Sequence, residues 1–274
     1  MRDQPDTILP QPGVPVIPFM NWGGTSGLYI KEVRRFFKVQ LQTIWAPAIT
    51  TMLFLVIFTV ALGGQGRMVM GRHFADFIAP GLIVMGMIQN SFANSSFALL
   101  VGKMQGTIVD YLMPPLSTAE LMGALVAAAV TRAILVGLAV WCAMLLWPGV
   151  DVTPRHVWAI AWFGFMGSVM LALLGLMTSI WAEKFDHAAA VTNFVVQPLS
   201  LLSGTFYSVD RLAPTFQAVS HANPFFYVIS GFRYGFIGVA DSPVLLGAAI
   251  LFGVNVVLGT ITYKMLASGW KLKA

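Results

Sequence analysis

Asn193, Gln197 and Ser200 recur at i, i+4 and i+7 in the stretch VTNFVVQPLSLLSG, and Gly204 follows at i+11. A helix turning about 100° per residue places all four within about 60° on one face. Their chemistry is hydrogen bonding without proton transfer, and in so apolar a segment they must face protein or water, because lipid offers no partner. Pro198 beside them bends or locally opens the helix. A second polar arc lies in IQNSFANSS, with Asn90, Ser91, Asn94 and Ser95. Two readings stand for both arcs: hydrogen bonds that hold a bundle together, or a wetted path for a solute. Neither arc carries a charge, which suits a neutral or amphiphilic body better than a bare ion.

Arg132 is the one charge deep in an apolar stretch, about 18 Å of helix beyond Glu120. That exceeds what a snorkelling side chain easily recovers. Its partners are either structural, carbonyls and the amides above, or a lipid phosphate or substrate anion.

Other chemistry is missing. There is no G-x-x-x-x-G-K-[ST], so the chain does not cradle ATP phosphates by itself, and neither H-E-x-x-H nor G-x-S-x-G occurs. His73, His156, His187 and His221 are scattered among loops, which argues against a metal site. No acidic residue falls well inside an apolar stretch, whereas ion-driven carriers usually hold the driving ion on a buried carboxylate. The lone Cys142 allows no intrachain disulfide and is expected in core packing.

The elements that must position these residues follow from composition: of 274 residues, 57% are hydrophobic and 10% charged, with a mean hydropathy of +0.78. A soluble domain carries about 25% charged residues. Spans need roughly 20 apolar residues, and windows at 44–62, 77–101, 121–147, 157–181, 188–207 and 244–263 qualify. The expectation is an all-α polytopic membrane protein of six transmembrane helices. With both termini cytoplasmic, ten basic residues lie on the inner side and five on the outer, which selects that orientation. The basic pI of about 9.5 is then a matter of lipid-facing anchors, with no nucleic-acid partner.

Residues 1–24, rich in proline, read as a disordered cytoplasmic tail, and 25–274 as the membrane domain. In GLYIKEVRRFFKVQLQTIW, Lys31, Arg34, Arg35 and Lys38 recur at helical spacing opposite Ile30, Val33, Phe37 and Leu41. This describes an interfacial helix with its basic side toward anionic lipid, either a plain anchor or an elbow that couples a cytoplasmic partner to the first span. Loop 208–243 splits at NPFF: Leu212, Phe216 and Val219 mark one amphipathic turn, and Pro224 opens a second helix. Its aromatic density suits a re-entrant pair of short helices before the last span.

Between the second and third windows stands GKMQGTIVDYLMPPLSTAEL. Met104, Ile108, Tyr111 and Leu112 share one face, so 104–113 reads as one amphipathic helix, stopped by Pro114 and Pro115. With the basic elbow helix, LSGTFYSVDRLAPTFQAVSHANPF and YVISGFRYGF, this order of segments resembles the membrane subunit of type-2 ABC exporters, the ABC-2 permease family, over nearly the whole chain from residue 25. The resemblance implies that the connector is a cytoplasmic coupling helix seated in a separate ATPase, with Gln105, Gly106, Thr107, Asp110, Tyr111, Leu112, Pro114 and Pro115 in the coupling segment. It implies an outer gate containing Ser203, Gly204, Phe206, Asp210, Leu212, Pro214, Asn223, Pro224 and Arg233. It further implies a homodimer of this chain with two ATPase subunits, ATP and magnesium in the ATPase and no cofactor here. Asn90, Asn94, Arg132, Asn193, Gln197, Ser200 and Gly204 become candidates for the translocation path. The expected activity is export of an amphiphilic, drug-like, lipid or lipid-linked glycan substrate across the inner membrane. The rival readings are a carrier or channel working without an ATPase, and a membrane-embedded enzyme or assembly factor.

Overall fold

Proline decides where two helices change pitch. In the computed structural model, which describes residues 20–61, 68–209 and 212–272, π-helical turns at Leu41–Trp45 and Thr192–Val196 end just ahead of Pro47 and Pro198. Proline cannot donate to the carbonyl four residues back and its ring pushes that carbonyl away, so the ladder widens there.

The chain runs α1 (Trp22–Phe37), the first π turn, α2 (Ala46–Ala61), strands β1 (Met68–Val69) and β2 (Arg72–His73), α3 (Phe74–Ser96), α4 (Ala98–Met104), α5 (Val109–Leu112), α6 (Thr118–Leu145) and α7 (Val157–Trp181). It continues with α8 (Phe185–Val191), the second π turn, α9 (Gln197–Leu201), α10 (Pro214–Ala222), α11 (Pro224–Ile237) and α12 (Val244–Ser268). The proline-rich segment 1–19 lies outside the described residues, and α1 opens at Trp22, ahead of residue 25.

Among the described residues four helices are long and apolar enough to cross a membrane: Leu41–Val60, Thr118–Leu145, Val157–Trp181 and Val244–Ser268. They answer the first, third, fourth and sixth expected spans. The other two differ. α3 has 23 residues, but Asp76, Gln89, Asn90 and Asn94 lower its hydropathy. The fifth segment is divided into pieces of 7, 5 and 5 residues by the π turn ahead of Pro198. The fold is also not purely helical: β1 and β2 pair antiparallel, Met68 opposite His73. Met70 and Gly71 turn the hairpin at φ 51° and 73°, the left-handed pair that matches strand twist.

α3 is the hub. It is buried along most of its length, with α6, α7 and α11 packed around it. Gly175 lets α7 close on it, since a Cβ there would fall 2.1 Å from Ser95 Oγ and 2.6 Å from the Phe92 carbonyl. Ser91 Oγ donates to the Ser168 carbonyl at 2.6 Å across the same contact. Cys142, expected in the core, is exposed, because α6 turns that face away from the buried Val140 and Met144.

Candidate functional site

The connector is built from stops. α4 ends in a Schellman motif: Gly106 takes φ +71°, Thr107 N donates to the Gly102 carbonyl at 2.8 Å and Gly106 N to Lys103 O at 3.3 Å. The single amphipathic helix expected over 104–113 is therefore broken. Gly106 ends one helix, and the four-residue α5 begins only at Val109. Upstream, the kink at Phe97 frees the amides of Leu99 and Leu100, and both donate to Ser179 Oγ at 2.9 Å. Downstream, Pro114 and Pro115 end α5, and Ser117 with Glu120 forms a capping box that starts α6.

Contacts at two places, around Asn21 and around Tyr111, clamp the connector and the start of α6 to α1. Asn21 N donates to Glu120, and Asn21 Nδ2 donates to the Pro115 carbonyl at 3.1 Å. Tyr111 is buried and its hydroxyl donates to Glu32 Oε1 at 2.9 Å, while Lys31 Nζ lies 4.0 Å over the Tyr111 ring. Burial, and then the Glu32 carboxylate, push the Tyr111 phenol up to about 12. The other Glu32 oxygen sits 2.8 Å from Arg35 Nη2, close enough for an ion pair though not aligned as a hydrogen bond. Tyr111 belongs to an apolar cluster with Leu99, Leu121, Leu176 and Leu266, separate from the main core. Gln105, Gly106, Thr107, Asp110, Leu112, Pro114 and Pro115 are exposed around it, with bare apolar side chains at Val109, Leu112 and Met113.

The face of α1 that packs inward is not the arc of Ile30 and Phe37, which are exposed, but that of Glu32 and Phe36. Tyr29 at its flank hydrogen-bonds Thr131 on α6 at 2.9 Å. Lys31, Arg34 and Lys38 stay exposed and Arg35 is half-buried. α1 is thus a helix strapped to α6.

At the opposite end of the bundle, Arg233 is wholly buried on α11. Nη1 contacts Asp241 Oδ2 at 2.6 Å, Nη2 donates to the Gly204 carbonyl at 2.6 Å and Nε to the Phe77 carbonyl at 3.2 Å. Gly204, at φ +78°, lies in the turn after α9 and so leaves the helical stripe that its spacing suggested. Asn223 caps α11 through Phe225 N at 3.1 Å and donates to the Leu199 carbonyl at 2.8 Å. Pro224 opens α11, whose Phe225, Phe226, Phe232 and Phe236 are buried. The Phe206 ring packs tilted against Phe58 of α2, centroids 4.4 Å apart, Leu212 packs on the core edge, and Asp210 lies outside the described residues.

The polar arcs divide. Arg132 Nη2 donates to Asn90 Oδ1 at 2.9 Å, and Asn94 gives its carbonyl to Arg35 at 3.2 Å; Asn90 and Asn94 are buried inside the chain. Asn193 and Gln197 are exposed on the bundle exterior, while Ser200 is buried and bonds the Val196 carbonyl at 2.7 Å. Within one chain the two arcs do not line a common passage.

The family model of the ABC-2 type transporter matches residues 25–237. This chain belongs to the ABC-2 type transporter family. The ABC-2 match begins inside α1 and ends at the last residue of α11, so it takes in most of α1, the connector and the short helices α10 and α11. The chain is 33% identical over 254 residues to the inner membrane transport permease YadH of Escherichia coli strain K12, covering 92% of this chain and 98% of YadH. It is 24% identical over 245 residues to nodulation protein J of Rhizobium leguminosarum bv. viciae, covering 87% and 92% of the two chains.

In this ABC-2 chain several working residues escaped sequence reasoning. Asp241, the counter-ion of Arg233, stands beyond the aromatic helix with nothing nearby to mark it. Glu32 stands among Lys31, Arg34 and Arg35, and an acidic residue within a basic run was a usable signal. Ser179 carried none.

Proposed function

We propose that this chain is the membrane-spanning permease subunit of an ATP-driven ABC exporter, anchored in the inner membrane with six spans and both termini cytoplasmic. Two copies form the channel and two ABC ATPase subunits bind beneath them, supplying ATP, magnesium and hydrolysis. The cargo class is amphiphilic: drug-like, lipid or lipid-linked glycan.

The connector carries this reading. Its apolar face at Val109, Leu112 and Met113 is exposed, while Tyr111 of the same turn is locked to α1. A push on that face is passed to α1, α4 and α6 together, because their apolar cluster moves as one packed unit. The printed name of the relative YadH, a transport permease of the inner membrane, supports the same class and location. The basic excess on the inner side supports the orientation. Exposed apolar side chains on α2 and the fifth segment, including Ile49, Val60 and Phe194, support pairing of copies. That pairing would bring the exposed Asn193 and Gln197 to a shared interior.

The test is co-purification with an ABC ATPase and measurement of its hydrolysis when Leu112 or Asp110 is replaced. Leu112→Asp and Asp110→Lys should lower permease-stimulated hydrolysis severalfold while the isolated ATPase is unchanged. Absence of any associated ATPase, with transport still driven by an ion gradient, would overturn the exporter in favour of an independent carrier.

A further inference from the structure

Arg132 stands mid-way along the 28-residue α6, about 21 Å of helix from its start. Its bond to Asn90 Oδ1 is to a neutral amide, its Nε is buried without a partner, and among the described residues no carboxylate lies within ion-pair distance of it. Glu32, the carboxylate beside Arg35, is already engaged by Arg35 at 2.8 Å and by Tyr111 at 2.9 Å. Arg35 in turn reaches the Asn94 carbonyl, one turn of α3 beyond Asn90 and so about 6 Å along the axis. Two guanidinium groups therefore approach the same stretch of α3 against one carboxylate, which leaves a net positive charge in an apolar setting.

An uncompensated guanidinium in a membrane segment is expensive to keep. Its donors match a phosphate oxyanion better than any single amide can, through paired charge-assisted hydrogen bonds. Arg132 is only partly buried, so the remaining donors have a route outward. We propose that Arg132, with Asn90 holding its guanidinium and Arg35 adding charge, is a binding site for a phosphate anion at the junction of α1, α3 and α6, supplied by an anionic phospholipid or by a free phosphate group. The site stands independently of the exporter reading.

The experiment uses the full chain, purified and delipidated in detergent, with bound lipid counted by native mass spectrometry and stability followed by thermal unfolding. Phosphatidylglycerol should bind and raise the unfolding temperature, and diacylglycerol of the same chains should not. Arg132→Gln should weaken phosphatidylglycerol binding about tenfold or more, Arg132→Lys should recover only part of it because an ammonium cannot form the paired bonds, and the exposed-cation control Lys184→Gln should leave it unchanged. Inorganic phosphate that displaces the lipid in an Arg132-dependent manner assigns the same chemistry to a soluble source and supports the site. Equal binding of phosphatidylglycerol and diacylglycerol by the unaltered protein, which needs no variant to fold, overturns the proposal. So does an Arg132→Gln protein that binds phosphatidylglycerol as the unaltered chain does, or an equal loss in Lys184→Gln.

Discussion

Arg233 and Asp241 form a buried ion pair, 2.6 Å apart with side chains 0% and 1% exposed. Ser208 Oγ donates to the same carboxylate at 2.8 Å, and the arginine also holds the Gly204 carbonyl. One pair thereby ties the end of α11 to the turn after α9 and to the start of α12. Removing one member of such a pair leaves an uncompensated charge, at a cost of about 3–5 kcal/mol. Asp241→Asn should accordingly lower the unfolding temperature in detergent sharply. Arg233→Met with Asp241→Leu should recover part of the loss but not all, since the Gly204 and Phe77 carbonyls lose their donor. An Asp241→Asn protein as stable as the parent would contradict this account.

Tyr111→Phe removes the hydroxyl that satisfies Glu32 and should destabilise the α1–connector contact by about 1–3 kcal/mol. The expected signature is faster proteolysis or hydrogen exchange over residues 105–116 with little change in α7.

The raised pKa of Tyr111, about 12, keeps the phenol protonated and donating well above neutrality. A group titrating higher in the folded protein than unfolded contributes stability fully below about pH 10, and the contribution is lost as pH rises through the folded value. An ultraviolet titration should lose one late phenolate step in Tyr111→Phe; an unchanged titration curve would rule the buried hydrogen bond out.

Two glycine substitutions should move stability in opposite directions. Gly175→Ala forces α7 off α3, because the new methyl meets Ser95 and the Phe92 carbonyl, and should cost about 1–3 kcal/mol. Gly253→Ala, mid-helix in α12 with nothing within 4 Å of the added carbon, should stabilise by about 1 kcal/mol. Thermal unfolding of the two proteins side by side decides it.

Asn193→Cys in a Cys142→Ser background should cross-link between copies in the membrane, since Asn193 lies on the bundle exterior. Ala128→Cys, buried within one chain, should not. Equal cross-linking at both positions would remove the argument for a paired channel.

Much of the helical layout was legible in the sequence because lipid permits few choices: long apolar runs must satisfy their own backbone. The fourth span, expected at 157–181, coincides with α7, Val157–Trp181, since no proline, charge or asparagine interrupts it. Proline positions also foretold where the fifth segment is disturbed. What spacing misjudged was phase and continuity: Gly106 broke the connector, the π turn and the bend after α9 took Gly204 off its stripe, and Glu32 with Phe36 turned the buried face of α1. The sequence by itself determined an apolar helical chain with a proline-stopped connector, because composition and local sterics act within a few residues. Only the tertiary structure decided which polar groups meet, Arg233 with Asp241, Glu32 with Tyr111, and Arg132 with the Asn90 amide. Those pairings depend on where separate helices cross, and helix crossing is set by packing at small residues such as Gly175, not by any spacing along the chain.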